Sequence, residues 1–314
     1  MIMRQPIISI VSPVYKAENI IQELVKRIKE NVSLITDDFE IILVDDCGPD
    51  NSWSKIEDEA IEDRRVKGIK LSRNFGQHFA ITAGLEKAKG DYVVVIDCDL
   101  QDDPAYIPVL FEKAKEGFDI VYTYKKARKH NFWKNITANF FNRIFNYLID
   151  NKNWKSHNNV GSYSLITRKV ADAFCAINDY QRHYLMVLRW LGFNNAYVEI
   201  KHNKRFEGKS SYNFSKLVIH AINGITSQSD KLLRINVIFG IILSLLSFLS
   251  VIVIILLYYI NGLMSGWASL IVVLLFSTGV ILTSIGISGI YIGKTFEQTK
   301  NRPKYIIDKT LNLQ

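Results

Sequence analysis

Charge is missing altogether from one stretch of this 314-residue chain: between Arg234 and Lys294 there is no Asp, Glu, Lys, Arg or His. Surface helices of a soluble domain need a polar face, so the absence argues against an ordinary amphipathic pair. The stretch contains two apolar runs, Val237 to Ile260 and Trp267 to Ile292, separated only by NGLMSG. Each exceeds the roughly 20 residues that carry a helix across a ~30 Å hydrocarbon layer, which predicts two spans joined by a tight turn. Cysteine is scarce as well. Cys47, Cys98 and Cys175 are odd in number and match no zinc spacing, which fits buried free thiols in a reducing compartment. The opening MIMRQPIISIVSP has Pro6 and too short an apolar run for a secretion signal, so nothing is expected to draw the first 230 residues across a membrane.

The charge that is present is predominantly basic, a formal net +8. No nucleic-acid module signature accompanies it, and anionic lipid headgroups beside two spans account for a basic face, so no nucleic-acid partner is expected. Lys231 and Arg234 precede the first run, and Lys294, Lys300, Arg302, Lys304 and Lys309 follow the second, while the turn is uncharged. The positive-inside bias then places the region before the spans and both termini in the cytoplasm, and the localisation expected is a multi-pass protein of the cell's inner (plasma) membrane. Three segments are expected: residues 1–230, a cytoplasmic domain with membrane-interface helices; 231–294, a membrane hairpin; and 295–314, a basic tail.

Within the first segment, IISIVSPVY (7–15), FEIILVDDCG (39–48), VKGIKLS (66–72) and DYVVVIDCD (91–99) read as strands. AENIIQELVKRIKENV (17–32), SWSKIEDEAIED and HFAITAGLEKAKG (78–90) read as helices between them. Alternation at this spacing predicts an α/β fold with a doubly wound, mainly parallel sheet. Ligands of such sheets sit outside the carboxyl ends of the strands, and three of these strands end in polar clusters. The densest, VVVIDCDLQDDP (93–104), packs four aspartates into seven residues. In an extended D-x-D, Asp97 and Asp99 share a face and repel unless a cation neutralises them, and Mg²⁺ or Mn²⁺ held by one or two carboxylates keeps positions open for phosphate oxygens. Solvated turn aspartates are the plainer reading of D-x-D by itself.

SPVY, ILVDDCGPDNS, SRNFGQHFAITAGLEKAKGDYVVVIDCDLQDDP and RFEGKSSY, followed by two spans, together resemble the polyprenyl-phosphate glycosyltransferases. These are members of glycosyltransferase family 2, relatives of dolichol-phosphate mannose synthase with a membrane hairpin added. The resemblance covers nearly the whole chain. It implies a GT-A-like domain, a nucleotide-sugar donor, a polyprenyl-phosphate acceptor, the lipid bilayer as partner, an inverting transfer and a homo-oligomer, a tetramer in the family. It also implies roles: Asp99 and Gln101 as ligands of Mg²⁺ or Mn²⁺ with Asp97 near ribose and metal, and Pro13, Tyr15 and Asp46 in the nucleoside pocket. Asp45 is the alternative to Asp46, or caps the turn after it. Arg205, with Lys209 and Ser210 beside it, is assigned to the donor diphosphate or the acceptor phosphate, since a guanidinium fork binds phosphate in bidentate fashion. A basic loop at a membrane edge is the bland reading of the same residues.

The chain departs from the family twice. Relatives usually read G-x-S-K-Y where Ser211 occupies the lysine position here, and GDFRL, with its suggested catalytic aspartate, is replaced by GSYSL, which puts Ser162 and Ser164 where the acid and arginine stand. An acceptor phosphate with its second pKa near 6 arrives largely ionised, so positioning matters more than a general base. Phe132, Ile136, Phe140, Ile144 and Tyr147 recur at near-helical spacing in residues 130–149, as either a helix on the bilayer surface or a core-facing one; residues 215–234 pose the same choice. Transfer of glucose from UDP-glucose to undecaprenyl phosphate is the expected reaction. GDP-mannose is an alternative donor and a processive polysaccharide synthase an alternative activity, although QRHYLMVLRW separates Gln181 from Arg189 and Trp190 too widely for that synthase's Gln-x-x-Arg-Trp. A non-enzymatic receptor would not need Asp97, Asp99, Gln101 and Arg205 together.

Overall fold

A computed structural model describes residues 7–125, 160–180, 182–201, 230–261 and 266–313. They divide into a sheet unit, which includes residues 302–313, and a helical unit.

The sheet unit runs β1 (Ile8–Val14), α1 (Ile21–Val32), β2 (Phe39–Asp45), α2 (Ser52–Glu62), β3 (Val66–Leu71), α3 (Gln77–Lys87), β4 (Tyr92–Val95), a single 3₁₀ turn (Pro104–Tyr106), α4 (Ile107–Lys115) and β5 (Ile120–Lys125). It continues with β6 (Val160–Thr167), α5 (Arg168–Ala176), α6 (Tyr184–Leu191) and β7 (Asn195–Ile200). The eight-stranded sheet has the order β7-β5-β6-β4-β1-β2-β3-β8. β4, β1, β2 and β3 are mutually parallel, as the alternating pattern predicts, whereas β6 joins β4 antiparallel and β5 joins β6 antiparallel. β1 and β2 are buried at every position, which is why they read as continuous apolar runs: helices cover both faces. On one face α1 contributes Ile21, Leu24, Val25, Ile28 and Val32 at helical spacing, each side chain worth about 1.5–3 kcal/mol of burial. On the other, α3 lies so close to β1 that a Cβ on Gly84 would stand 2.3 Å from Val11 Cγ1, which only glycine tolerates.

One ion pair runs through this core. Glu40, 2% exposed, accepts from Ser9 Oγ at 2.5 Å and from Lys89 N at 2.6 Å and pairs with Lys67 Nζ. The three cysteines are free and half-buried rather than fully buried. Burial pushes the Cys98 thiol up to about 12, with the charges of Asp97 and Asp99 adding to the effect, and the Cys175 thiol up to about 11.

The helical unit holds α7 (Lys231–Asn261) and α8 (Trp267–Thr299), 31 and 33 residues long. Mean hydropathy reaches 2.3 over Lys231–Ser250 and 1.5 over Phe276–Thr299, so both are long and apolar enough to cross a membrane. Their hydroxyls turn inward to backbone: Ser250, Thr278, Thr283 and Thr295 each donate to the carbonyl four residues earlier, and Ser284 Oγ bonds Asn236 Oδ1 across the pair at 2.9 Å. Polar groups satisfied in this way do not need water.

Residues 295–314, expected as a basic tail, are divided between the two units. α8 continues to Thr299, and β8 (Ile307–Leu311) returns to the sheet, antiparallel to β3. β8 supplies partners for backbone groups that β3 would otherwise leave open at a sheet edge, a gain that the charged sequence IDKTL conceals. Tyr305 OH donates to Glu86 Oε2 at 2.5 Å, Lys304 Nζ to the Ile177 carbonyl at 2.9 Å, and Asn312 Nδ2 to the Ala60 and Val66 carbonyls.

Candidate active site

From β1 the strand order steps outward through β2 to β3 and then returns to place β4 on the other side of β1. Connections diverge at such a switch point and leave a crevice beyond the carboxyl ends of the strands. All three polar clusters leave their strands there, and each exit bends through a non-glycine residue in the left-handed region: Lys16 (φ 56°), Cys47 (φ 53°) and Leu100 (φ 55°). Conformations of this kind cost on the order of 1–3 kcal/mol each and gather at functional loops.

Ile96 N donates to the Val11 carbonyl at 3.0 Å, which extends the β1–β4 register and sets Asp97 beside Pro13. Asp97 Oδ1 accepts from Gln77 Nε2 at 2.7 Å, and the Ser162 side chain hydrogen-bonds the same carboxylate. Burial, then the charges of Asp102 and Asp99, push the Asp97 carboxyl up to about 6, opposed by the Ser162 bond and the Lys125 charge. Asp102, 3% exposed, forms an ion pair with Lys125 Nζ at 2.7 Å. Asp99 Oδ1 accepts from Gln101 N at 3.1 Å across the turn at Leu100, and Asp103 caps the 3₁₀ turn through Ala105 N at 3.0 Å. The crowded aspartates therefore have different tasks: Asp103 shapes the backbone, Asp102 holds Lys125, and Asp97 and Asp99 remain as the D-x-D pair.

The carboxylates of Asp97 and Asp99 and the side-chain oxygen of Gln101 would make an oxygen donor set, the chemistry that suits Mg²⁺ or Mn²⁺. Among the described residues no three His, Cys, Asp or Glu side chains gather closely enough to hold an ion by themselves. The negative charge that raises Asp97 is what a cation placed there would relieve.

At the end of β1 Pro13 is buried and Tyr15 is 45% exposed, with Lys16 Nζ 5.6 Å from its ring centroid. A recess of about 310 Å³ beside them is lined by Lys16, Glu18, Asn19, Pro49 and Asp50. Asp45 and Asp46 are both buried, and Asp45 takes the turn-capping place that the sequence offered for it. Asp45 Oδ1 accepts from Gly48 N at 3.3 Å, a turn cap. Asp46 Oδ1 accepts from Phe75 N at 2.7 Å and Oδ2 from Gly76 N at 2.8 Å, so an incoming base would have to share oxygens already engaged. Burial raises both carboxyls, and for Asp46 those two backbone bonds and the Arg73 charge oppose it.

Ser162 touches Asp97, whereas Ser164 is fully buried and bonds Tyr184 OH at 2.9 Å, away from the D-x-D pair. Arg189 of the rejected Gln-x-x-Arg-Trp match lies near Tyr122 and Tyr197, and burial holds its pKa below the usual value; Trp190 is 72% exposed. Arg205, Lys209, Ser210, Ser211, Gln181 and the amphipathic stretches 130–149 and 215–229 lie outside the described residues. Sequence reasoning gave no role to Gln77 or to the Asp102–Lys125 pair. For Gln77 the one available signal was a polar side chain directly after Gly76, at the mouth of an apolar helix.

The family model for glycosyl transferase family 2 matches residues 9–174, the span from β1 into α5. The chain belongs to glycosyltransferase family 2. An uncharacterized glycosyltransferase of Bacillus subtilis (strain 168) is 35% identical over 98% of this chain and 94% of its own length. The prophage bactoprenol glucosyl transferase homolog of Escherichia coli (strain K12) is 34% identical over 96% and 98%. The undecaprenyl-phosphate 4-deoxy-4-formamido-L-arabinose transferase of Proteus mirabilis (strain HI4320) is 31% identical over 98% and 94%. Glucosyl-3-phosphoglycerate synthase of Mycobacterium tuberculosis, crystallised with Mn²⁺, UDP and phosphoglyceric acid, shares the fold at a TM-score of 0.53, with 16% identity over 71% of this glycosyltransferase and 77% of that chain. The fold is GT-A-like, and the two apolar helices follow it.

Proposed function

We infer that this glycosyltransferase moves a sugar from a nucleoside-diphosphate donor onto the phosphate of a membrane polyprenol. The observation that carries the reading is the length of the match to the bactoprenol glucosyl transferase homolog, 96% of this chain and 98% of that one, so that the match runs through both the sheet unit and the apolar helices of this chain. Glucose from UDP-glucose, passed to undecaprenyl phosphate, is the favoured pair. The return of β8 to the sheet supports the topology: the chain leaves the sheet unit before α7 and rejoins it after α8, so any crossing of a bilayer must be made an even number of times. Together with the lysines and arginines flanking the helices, this favours a hairpin in the plasma membrane with catalytic unit and both termini in the cytoplasm.

Chemically, an acceptor phosphate oxygen attacks the anomeric carbon as the bond to the donor diphosphate breaks on the opposite face, which inverts the configuration. Asp97, Asp99 and Gln101 would hold Mg²⁺ or Mn²⁺, which supplies positive charge against the departing diphosphate. Pro13 and Tyr15 take the nucleoside end, with the Asp45–Asp46 turn beside them. Ser162, spent on Asp97, is not placed as a base, and an ionised acceptor does not need one. Arg205, Lys209 and Ser210 are assigned to the phosphates. Purified protein incubated with a panel of nucleotide sugars, Mn²⁺ and a short polyprenyl phosphate tests the reading. Lipid-linked sugar and stoichiometric nucleoside diphosphate are expected from UDP-glucose, and failure of every donor to label the lipid overturns the reading.

A further inference from the structure

Gln77 is placed by a bridge between two strand ends that lie on either side of β1. At the β2 end, Asp46 takes the N–H of Phe75 at 2.7 Å and of Gly76 at 2.8 Å. Gly76 has φ +102°, a left-handed value that favours glycine. That turn starts α3, whose first residue, Gln77, reaches the β4 end and donates from Nε2 to Asp97 Oδ1 at 2.7 Å. The neighbouring His78 fixes the same helix mouth from the other side: its ring lies 4.1 Å from that of His183, and its Nδ1 accepts from Tyr184 N at 3.4 Å. Gln77 is therefore held by backbone on one side and rings on the other, and cannot simply follow a carboxylate that rotates.

We propose that Gln77 is the positioning residue of the D-x-D pair, fixing the Asp97 carboxylate in the rotamer that faces a divalent cation; the inference rests on the metal role given above to Asp97 and Asp99. An amide suits the task. Lys or Arg at the same point would neutralise the carboxylate and repel a cation, whereas a carboxamide N–H orients the oxygen and leaves its charge in place. Groups that orient metal ligands in this way typically govern 10- to 100-fold in metal affinity.

The test is Mn²⁺ binding by the full-length protein in detergent, followed by the electron paramagnetic resonance of free Mn²⁺, alongside thermal melting. Gln77→Ala and the similarly sized Gln77→Met should each weaken Mn²⁺ binding about 10- to 100-fold at unchanged melting temperature, and Asp99→Ala should abolish it. If both Gln77 variants bind Mn²⁺ like the wild type while Asp99→Ala does not, or if they melt early with unchanged affinity, Gln77 is merely structural and the proposal fails. If Asp99→Ala also retains wild-type affinity, the metal reading itself fails and takes this inference with it.

Discussion

Replacing Asp97 with asparagine should make the metal-free protein more stable while stopping catalysis. Asp97 sits at the end of β4 with its carboxyl raised from 3.8 to about 6, chiefly by burial and then by Asp102 and Asp99. Folding is thus opposed by its charge: the carboxyl costs the native state nothing below about pH 4, where it is protonated whether folded or unfolded, and the penalty grows to its full value above pH 6. At about 1.4 kcal/mol for each pH unit between the two values, the ceiling is about 3 kcal/mol. Partial exposure of the residue and solvent screening reduce this to about 1–2 kcal/mol. Asparagine carries no charge and can still accept from Gln77 through its amide oxygen. In EDTA at pH 8 the variant should melt about 2 to 8 °C above wild type, at about 2–4 °C per kcal/mol for a unit of this size, and the gap should close as pH falls from 6 to 4. Adding Mn²⁺ should raise the wild-type midpoint and leave that of Asp97→Asn where it was. A variant that melts at or below wild type at pH 8, or a gap that persists at pH 4, would refute the assignment of repulsive charge to this strand end.

Glu40→Ala removes the acceptor for Ser9, Lys89 N and Lys67 together, and breaking such a buried pair should cost about 3–5 kcal/mol, read as a fall of roughly 10 °C in melting temperature; a fall under about 2 °C would contradict the buried network. Ser162→Ala loses one bond to Asp97 and should retain most turnover, whereas Arg205→Ala should lose about 10- to 100-fold, because charge-assisted bonds to phosphate are worth about 1.5–3 kcal/mol. Sugar-transfer rates of both variants from pH 5 to 8 check this, and equal damage would make the serine a direct participant. For the hairpin, a cysteine introduced near Gly262 should react with an impermeant thiol reagent in intact cells and one at residue 310 should not; the reverse pattern would invert the topology.

The sequence by itself determined the elements whose signal is local. Continuous apolar runs gave β1, β2 and β4, the 3.6-residue spacing of Ile21, Leu24, Val25, Ile28 and Val32 gave α1, and the uncharged stretch before Lys294 gave two long helices. It also gave Asp97 and Asp99 as members of one polar cluster after an apolar strand, although the strand ends at Val95 and Asp99 stands in the turn that follows rather than on the extended segment expected for it. Tertiary structure decided what depends on partners distant in sequence. β8 is a strand because β3 had an open edge, 236 or more residues earlier in the chain, and nothing within IDKTL announces it. Glu40 is tolerated inside the sheet because Lys67 and Lys89 arrive from other elements. Asp46 was legible as a carboxylate at a strand end, but its engagement with Phe75 and Gly76, and through them the aim of Gln77 at Asp97, exists only once β2 and β4 flank β1. Hydrophobic periodicity is written residue by residue along the chain. Hydrogen-bond partnership is a matter of distances of about 3 Å, which the chain acquires only by folding.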